Sequence, residues 1–489
     1  MHKSFKILLI LFILIVYCFA FQGARGLFEP DEGRYSVVAL QMIKSGDWLH
    51  PRVHPEHAHW TKPPLTYWAI AASLLTFGIN EFAVRFTNAF SFLLTIVISF
   101  YLGKVMTPRK PWLVALVFAT FLFPATMCNG ATTDFPVMMW ETLAVCFFVH
   151  AFWGSANRKF ILSMLMWAVF GLAFLTKGPP GILPLLSIII FLQLKCAKQR
   201  SFQMPWLRGL FLMGLIGASW YLLVILENPS LAGYFLWDEI VLRLFTDHHQ
   251  RHGQWYAFLY IYFPVLIFGS LPWIVFAARG LIGLFKSAQK ALKADINDNN
   301  VLNVFLILWF VVPLAIFILS KSNLPLYILP LFVPLAIITA REIDRRNVSL
   351  YSLRYWIALW GIIIVLIRPL MATLHFGKDS RKFARAIKQY HPQPVEEIVF
   401  ANTRRAFGLQ FYTGTDIDRV SFDFDAMESE LKEEGVRIWV VDQQESEQFR
   451  RELIRHKVEM RELGPVAAWK NYVLFLENSD KIYFSGDIL

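Results

Sequence analysis

The sequence predicts a mostly α protein, a polytopic membrane helix bundle followed by a small soluble α/β domain. Three observations carry this reading. Of 489 residues, 56% are hydrophobic and only 17% charged, whereas a soluble domain carries about 25% charge. Aromatic residues reach 16%, with 45 Phe and 17 Trp, as lipid-facing and interfacial surface requires. Long apolar runs recur along the chain and stop near residue 376. This composition excludes an ordinary cytosolic enzyme.

Runs long enough to cross a bilayer lie near 5–22, 83–103, 111–127, 135–153, 160–176, 180–194, 207–226, 256–278, 302–319, 324–340 and 354–376. That predicts about eleven spans. Lys3 and Lys6 ahead of the first run imitate a signal-peptide n-region, but the many later spans favour a retained first helix. With the N-terminus cytoplasmic, alternate connections fall on the cytoplasmic side. Together with Lys3 and Lys6 these hold 19 basic residues, Lys104 to Arg354, against four acids: Asp295, Asp298, Glu342 and Asp344. This is the positive-inside pattern. The net charge of +11 is therefore a topology signal and does not point to nucleic acid.

An odd number of spans places the segment from 377 onward outside, in the periplasm of a Gram-negative cell. It carries 17 basic and 20 acidic residues. Its periodicity predicts a helix around Arg381–Tyr390, strands at Glu397–Ala401, Arg437–Asp442 and Tyr472–Glu477, and a helix at Ala426–Glu434. The predicted domains are thus 1–376, with a long outer loop at 23–82, and a periplasmic α/β domain at 377–489. The latter shows no catalytic motif. Cys18, Cys128, Cys146 and Cys196 show neither metal spacing nor a disulfide framework.

Once the topological charges are set aside, the remaining ionisable residues gather on the outer side, and such groups at a membrane mark function. The first outer connection reads Glu29-Pro30-Asp31-Glu32-Gly33-Arg34-Tyr35. Acids here can complement a helix dipole, but three carboxylates followed by Arg34 exceed a cap's needs. Asp31, Glu32 and Arg34 are candidate catalytic residues. Lys62-Pro63-Pro64, Lys177-Gly178-Pro179-Pro180 and Lys321-Ser322-Asn323-Leu324-Pro325 place three lysines ahead of helix-starting prolines. One such lysine can simply snorkel; three on one side favour an anion site, since a helix N-terminus and an ammonium together hold a phosphate. Asp134, after Thr132-Thr133, is a candidate catalytic acid or a helix-capping residue. Arg243 and Tyr327 are candidate phosphate contacts, Tyr327 otherwise belonging to an interfacial aromatic belt. His248, His249 and His252 are weak metal candidates, a polar loop being the simpler reading.

Taken with Ser45-Gly46-Asp47-Trp48, Leu175-Thr176-Lys177-Gly178, His249 to Trp255 and Leu324-Pro325-Leu326-Tyr327-Ile328-Leu329-Pro330, these motifs resemble the family of aminoarabinose lipid A transferases and dolichyl-phosphate-mannose protein mannosyltransferases. These are membrane glycosyltransferases of the GT-C fold. The likeness runs in matching order from about residue 25 to 340 and is closer to the bacterial lipid A branch. It implies a polyprenyl (undecaprenyl) phosphate-linked sugar donor, lipid A or lipopolysaccharide as acceptor, reaction on the outer face of the inner membrane, and inversion at the anomeric carbon. By motif position Asp31 matches the family's outer-loop acid, and Lys62, Arg243 and Tyr327 its donor-phosphate contacts. Asp134 and Lys177 match further motif positions.

One departure matters. Where lipid A transferases can place a zinc-binding carboxylate before the Lys and a His before the Arg, this sequence has Thr61 and Ile240. A divalent metal is therefore only weakly expected, on the histidine cluster. Two other readings compete. The acceptor can be protein or another surface glycan. A lipid-linked sugar transporter is disfavoured, because transporters place their ionisable groups at the midplane and show repeats.

Overall fold

The computed structural model describes residues 2–55, 57–154, 156–200, 202–242, 254–291, 298–374, 378–433, 435–466 and 472–477. Among these, six helices are long and apolar enough to cross a membrane: Glu81–Met106, Asp134–Trp153, Lys159–Lys177, Asn299–Leu319, Pro325–Arg345 and Leu353–Thr373. Two bent pairs raise the number to at most eight. The chain is a multi-pass membrane protein, and among the described residues this count by length and composition falls short of the expected eleven spans.

The shortfall has local causes. The run at 111–127 becomes two helices, Trp112–Thr120 and Leu122–Met127, broken where Phe121 is extended. At 180–194 the prolines open a 3-10 turn, Pro179–Ile182, and the helix that follows, Leu183–Gln193, is short. The run at 256–278 folds back on itself, since Ala257–Gly269 and Ile274–Ser287 are bent by 111°. That at 207–226 bends by 54° between Trp206–Gly217 and Ser219–Glu227. The first run forms the helix His2–Phe19, of 18 residues, whose apolar part is Leu8–Phe19.

The chain forms two compact units. The first comprises Met1–Gln22, Trp60–Ala69 and Arg85–Arg368. Its core is aromatic and aliphatic, with Phe92 packed on Phe118 and Phe135 at centroid distances of 5.6 and 6.3 Å. Small residues allow helices to approach closely, as is usual in membranes: a Cβ on Gly209 would collide with the Trp167 indole. The interrupted helices leave main-chain carbonyls that the membrane interior cannot satisfy. Arg368, buried on the helix Leu350–Thr373, supplies the donors. Its guanidinium donates to the carbonyls of Tyr17 at 2.7 Å, Ala20 at 3.1 Å and Ala125 at 3.2 Å. Trp360 and Trp273 donate to the Thr120 carbonyl and hydroxyl, at 2.9 and 2.8 Å, beside the Phe121 break.

The second unit comprises Gly23–His59, Ile70–Val84 and Pro369–Leu489. Its five-stranded sheet has the order Asp416–Val420, Glu397–Ala401, Arg437–Asp442, Tyr472–Glu477, Arg461–Pro465. The first three strands are parallel, and Tyr472–Glu477 runs antiparallel to both of its neighbours. Alternation decides its layers. Ile398, Phe400, Ile438 and Val440 pack with Phe383 and Ile387 of the helix Ser380–Tyr390. Val399, Ala401, Trp439 and Val441 pack on the opposite face with Met427, Leu431, Phe449 and Leu453. The small α/β domain expected from the sequence is present; its strands at 416–420 and 461–465 and its helix Ser446–Arg455 were not anticipated. The connection expected as one long loop holds two helices, Asp31–Ser45 and Leu65–Phe77.

Segments far apart in sequence are stitched together within this unit. Phe28 bridges Asp379 as an antiparallel pair. Glu29 Oε1 accepts from Ser380 Oγ at 2.6 Å and from the Gly408 amide at 2.5 Å. Glu81 pairs with Arg381 and accepts from Tyr412 Oη at 2.8 Å.

Candidate functional site

In the first unit the chain encloses a cavity of about 360 Å³. Its walls are largely apolar, with Phe174, Tyr221, Phe235 and Phe317 prominent, and Lys62, Lys177, Glu239 and Tyr327 supply the polar groups. Few polar groups in an apolar pocket is the usual form of a ligand site.

Each polar group is placed by its local backbone. Lys62 lies in the turn that the buried Pro63 and Pro64 close before the helix Leu65–Phe77. Lys177 ends the helix Lys159–Lys177, where a cation complements the dipole. Gly178 follows with φ of 71°, a left-handed conformation that glycine adopts without a Cβ penalty, and the chain turns into Pro179–Ile182. Tyr327 lies in the 3-10 turn Pro325–Leu331. Glu239 is carried by Tyr234–Leu242, a π-helical stretch, a feature frequent at functional sites.

The ammonium of Lys177, nearly buried, pairs with Asp134 and stands 4.7 Å from the Tyr327 ring centroid. Asp134 is the first residue of Asp134–Trp153 and its own amide donates to Thr132 Oγ1 at 3.3 Å. Lys62 Nζ lies 3.9 Å from Glu239 Oε2, with both side chains largely withdrawn from solvent. Tyr234 Oη donates to the other Glu239 oxygen at 3.3 Å. The cavity thus brings together Lys62, Lys177 and Tyr327, with Asp134 behind Lys177. Lys321 is not part of the lining: it is exposed, between the lining residues Ser320 and Ser322.

Asp31, Glu32 and Arg34 belong to the second unit. Asp31 opens the helix Asp31–Ser45 and accepts from Arg34 at 2.6 Å, its side chain half exposed. Glu32 is buried and committed to Arg25, and it also accepts from the Phe28 amide at 2.8 Å. That pairing makes Glu32 a clamp on the connection ahead of the helix. Glu29, buried at the junction with Ser380 and Gly408, has its carboxyl pushed up to about 7 by burial.

Arg243, His248, His249 and His252 lie outside the described residues. Among the described residues of the cavity lining, Thr61 offers a hydroxyl where a carboxylate ligand was at issue. Among the described residues the one group of three carboxylates close enough to share an ion is Glu397, Glu430 and Glu433, in the second unit. Arg437 pairs with all three and also with Glu477. Two residues were missed by sequence reasoning. Glu239 stood out only as one acid in a polar connection. Glu141, buried two turns beyond Asp134 in a span, was detectable as a carboxylate inside an apolar run.

These features define the class: a GT-C membrane fold with a lysine-bearing, largely apolar cavity. Comparison with known proteins narrows it. A family model described as dolichyl-phosphate-mannose-protein mannosyltransferase matches residues 61–223. An undecaprenyl phosphate-alpha-4-amino-4-deoxy-L-arabinose arabinosyl transferase of Pseudomonas fluorescens is 32% identical over 333 residues, covering 66% of this chain and 54% of the relative. One from Proteus mirabilis is 29% identical over 389 residues, covering 76% and 66%. The chain therefore matches between about half and two thirds of the length of these relatives. The crystal structure of ArnT from Cupriavidus metallidurans bound to undecaprenyl phosphate superposes with a TM-score of 0.77 at 20% identity, over 97% of this chain and 98% of that one. The chain is related to the aminoarabinose lipid A transferase and protein mannosyltransferase family, as its motifs indicated.

Proposed function

We propose that this chain is an integral membrane glycosyltransferase that moves a sugar from an undecaprenyl phosphate donor to lipid A or another lipopolysaccharide component. The observation that carries the reading is the cavity: apolar walls suited to a prenyl chain, with Lys62, Lys177 and Tyr327 converging where a phosphate would lie. The names of the two relatives, both undecaprenyl phosphate-aminoarabinose transferases, support the donor class.

In this reading the acceptor oxygen attacks the anomeric carbon with inversion, and the glycosidic bond breaks toward the phosphate. Negative charge grows on the phosphate oxygens, and preorganised cations there supply the main rate enhancement. Lys62 and Tyr327 contact that phosphate, with Arg243 as a further basic group; Asp134 holds Lys177 in place. Asp31 is assigned as general base for a hydroxyl acceptor or, for an anionic lipid phosphate, as partner of an amino group on the sugar. Arg34 orients it. The N-terminus is cytoplasmic, the reaction is periplasmic in an inner membrane, and the membrane body gives way to a periplasmic α/β domain near 376. No metal step is invoked.

Mass spectrometry of lipid A from a deletion strain tests the proposal: loss of a sugar addition, restored by the wild-type chain, is expected. Unchanged lipid A with a changed glycoprotein or surface glycan would favour the second reading, which the match to the protein mannosyltransferase model recommends.

A further inference from the structure

Each lysine of the cavity lies beside a carboxylate. Lys177 has Asp134, and Lys62 has Glu239 at 3.9 Å. An anion arriving at Lys62 therefore meets a cation with a carboxylate a few ångströms away in a largely apolar enclosure. What such a site tolerates depends on how much charge the anion brings.

A polyprenyl phosphate sugar is a phosphodiester with one negative charge. When the acceptor oxygen bonds to the anomeric carbon and the C1–O bond breaks, the electron pair stays on the phosphate oxygen. The product is a phosphate monoester, which carries about −1.5 to −2 at neutral pH. Donor and product share the prenyl chain and the phosphate, so charge is the main difference that a site can use to expel one and admit the other. One extra unit charge about 6 Å from a carboxylate, at an effective dielectric of about 20, costs roughly a hundredfold in affinity before screening.

We infer that Glu239 is the electrostatic selector of the cavity: its carboxylate beside Lys62 tolerates the monoanionic diester and repels the dianionic monoester, driving product release. The inference rests on the donor-phosphate reading of the cavity. Glu239 acts through Lys62 and the local charge balance, as a specificity and positioning residue. The Tyr234 hydroxyl, bonded to its second oxygen, keeps the carboxylate turned toward Lys62.

The test uses purified full-length protein in lipid nanodiscs at pH 8, with two non-reacting probes: undecaprenyl phosphate, a monoester, and undecaprenyl methyl phosphate, a diester. Glu239→Gln should tighten monoester binding by at least about tenfold relative to diester binding. Steady-state turnover should fall in this variant and inhibition by added undecaprenyl phosphate should deepen, because release becomes limiting. Glu239→Asp, which keeps the charge, should keep wild-type selectivity. Equal shifts for both probes, or weaker monoester binding in Glu239→Gln, would overturn the inference and leave the phosphate site standing. Wild-type protein that binds neither probe would overturn the donor-phosphate reading itself, and the inference with it.

Discussion

Glu29 Oε1 accepts a hydrogen bond from Ser380 Oγ at 2.6 Å across 351 residues of sequence. With the Gly408 amide on the same oxygen at 2.5 Å, it ties the connection after the first helix to the C-terminal α/β segment within one compact unit. The pairing places a carboxylate where water is excluded, and burial pushes it up from 4.5 to about 7.

A pH dependence follows. The folded state holds the Glu29 proton more tightly than the unfolded chain, so its contribution is full below about pH 4.5 and is lost as pH rises through about 7. A shift of this size corresponds to about 3 kcal/mol. Glu29→Gln should flatten the stability of this unit between pH 5 and 8, as read by protease resistance of the C-terminal region. A wild-type-like loss of protection toward pH 8 in the variant would contradict the assignment.

Asp31 offers a contrast, because its pair with Arg34 is half exposed and such pairs contribute only about 0–1 kcal/mol. Asp31→Asn should abolish sugar transfer while moving the melting temperature little. Normal turnover by a well-expressed variant would remove Asp31 from the mechanism.

Lys62→Ala should lower kcat/KM by about 2–4 kcal/mol, the scale of one preorganised electrostatic contact. Lys62→Arg should rescue only part of this, since a planar fork does not reproduce a compact ammonium. If Lys62 were only a snorkelling anchor, Arg would substitute freely. Donor turnover in detergent-solubilised protein, with melting measured alongside, separates the two.

The Lys177–Asp134 pair is buried, and removing one partner of such a pair costs about 3–5 kcal/mol by stranding the other. Lys177→Met should therefore destabilise the membrane body strongly. The double variant Lys177→Met with Asp134→Leu should recover most of the stability and none of the activity. Recovery of both would make the pair a structural element only.

The proposed topology puts the α/β domain in the periplasm. All four native cysteines are buried and can be replaced to clear the background. A cysteine at the exposed position Glu447, whose side chain pairs with Arg450 at the domain surface, should then react with an impermeant thiol reagent in intact spheroplasts. Labelling only after lysis would reverse the orientation.

Hydrophobicity and periodicity are local properties, and what depends on them was legible in the chain itself. The membrane helices near 83–103, 135–153, 160–176, 302–319 and 324–340 are present, as are the strands at 397–401, 437–442 and 472–477. Lys62, Lys177 and Tyr327 could be singled out because a polar group flanking an apolar run is conspicuous. Tertiary structure alone decided which of these residues meet. Glu239 reaches Lys62 from 177 positions away, Glu32 is consumed by Arg25, and Lys321 stays exposed although its motif matches the other two lysines. Where helices break at Phe121 and Ser270, Arg368 and the indoles of Trp360 and Trp273 satisfy backbone or hydroxyl acceptors near the Phe121 break, a compensation no window of the sequence contains. The reason is common to all of these: pairing is set by packing between segments distant in the chain, and amino-acid order encodes that distance only through the complete fold.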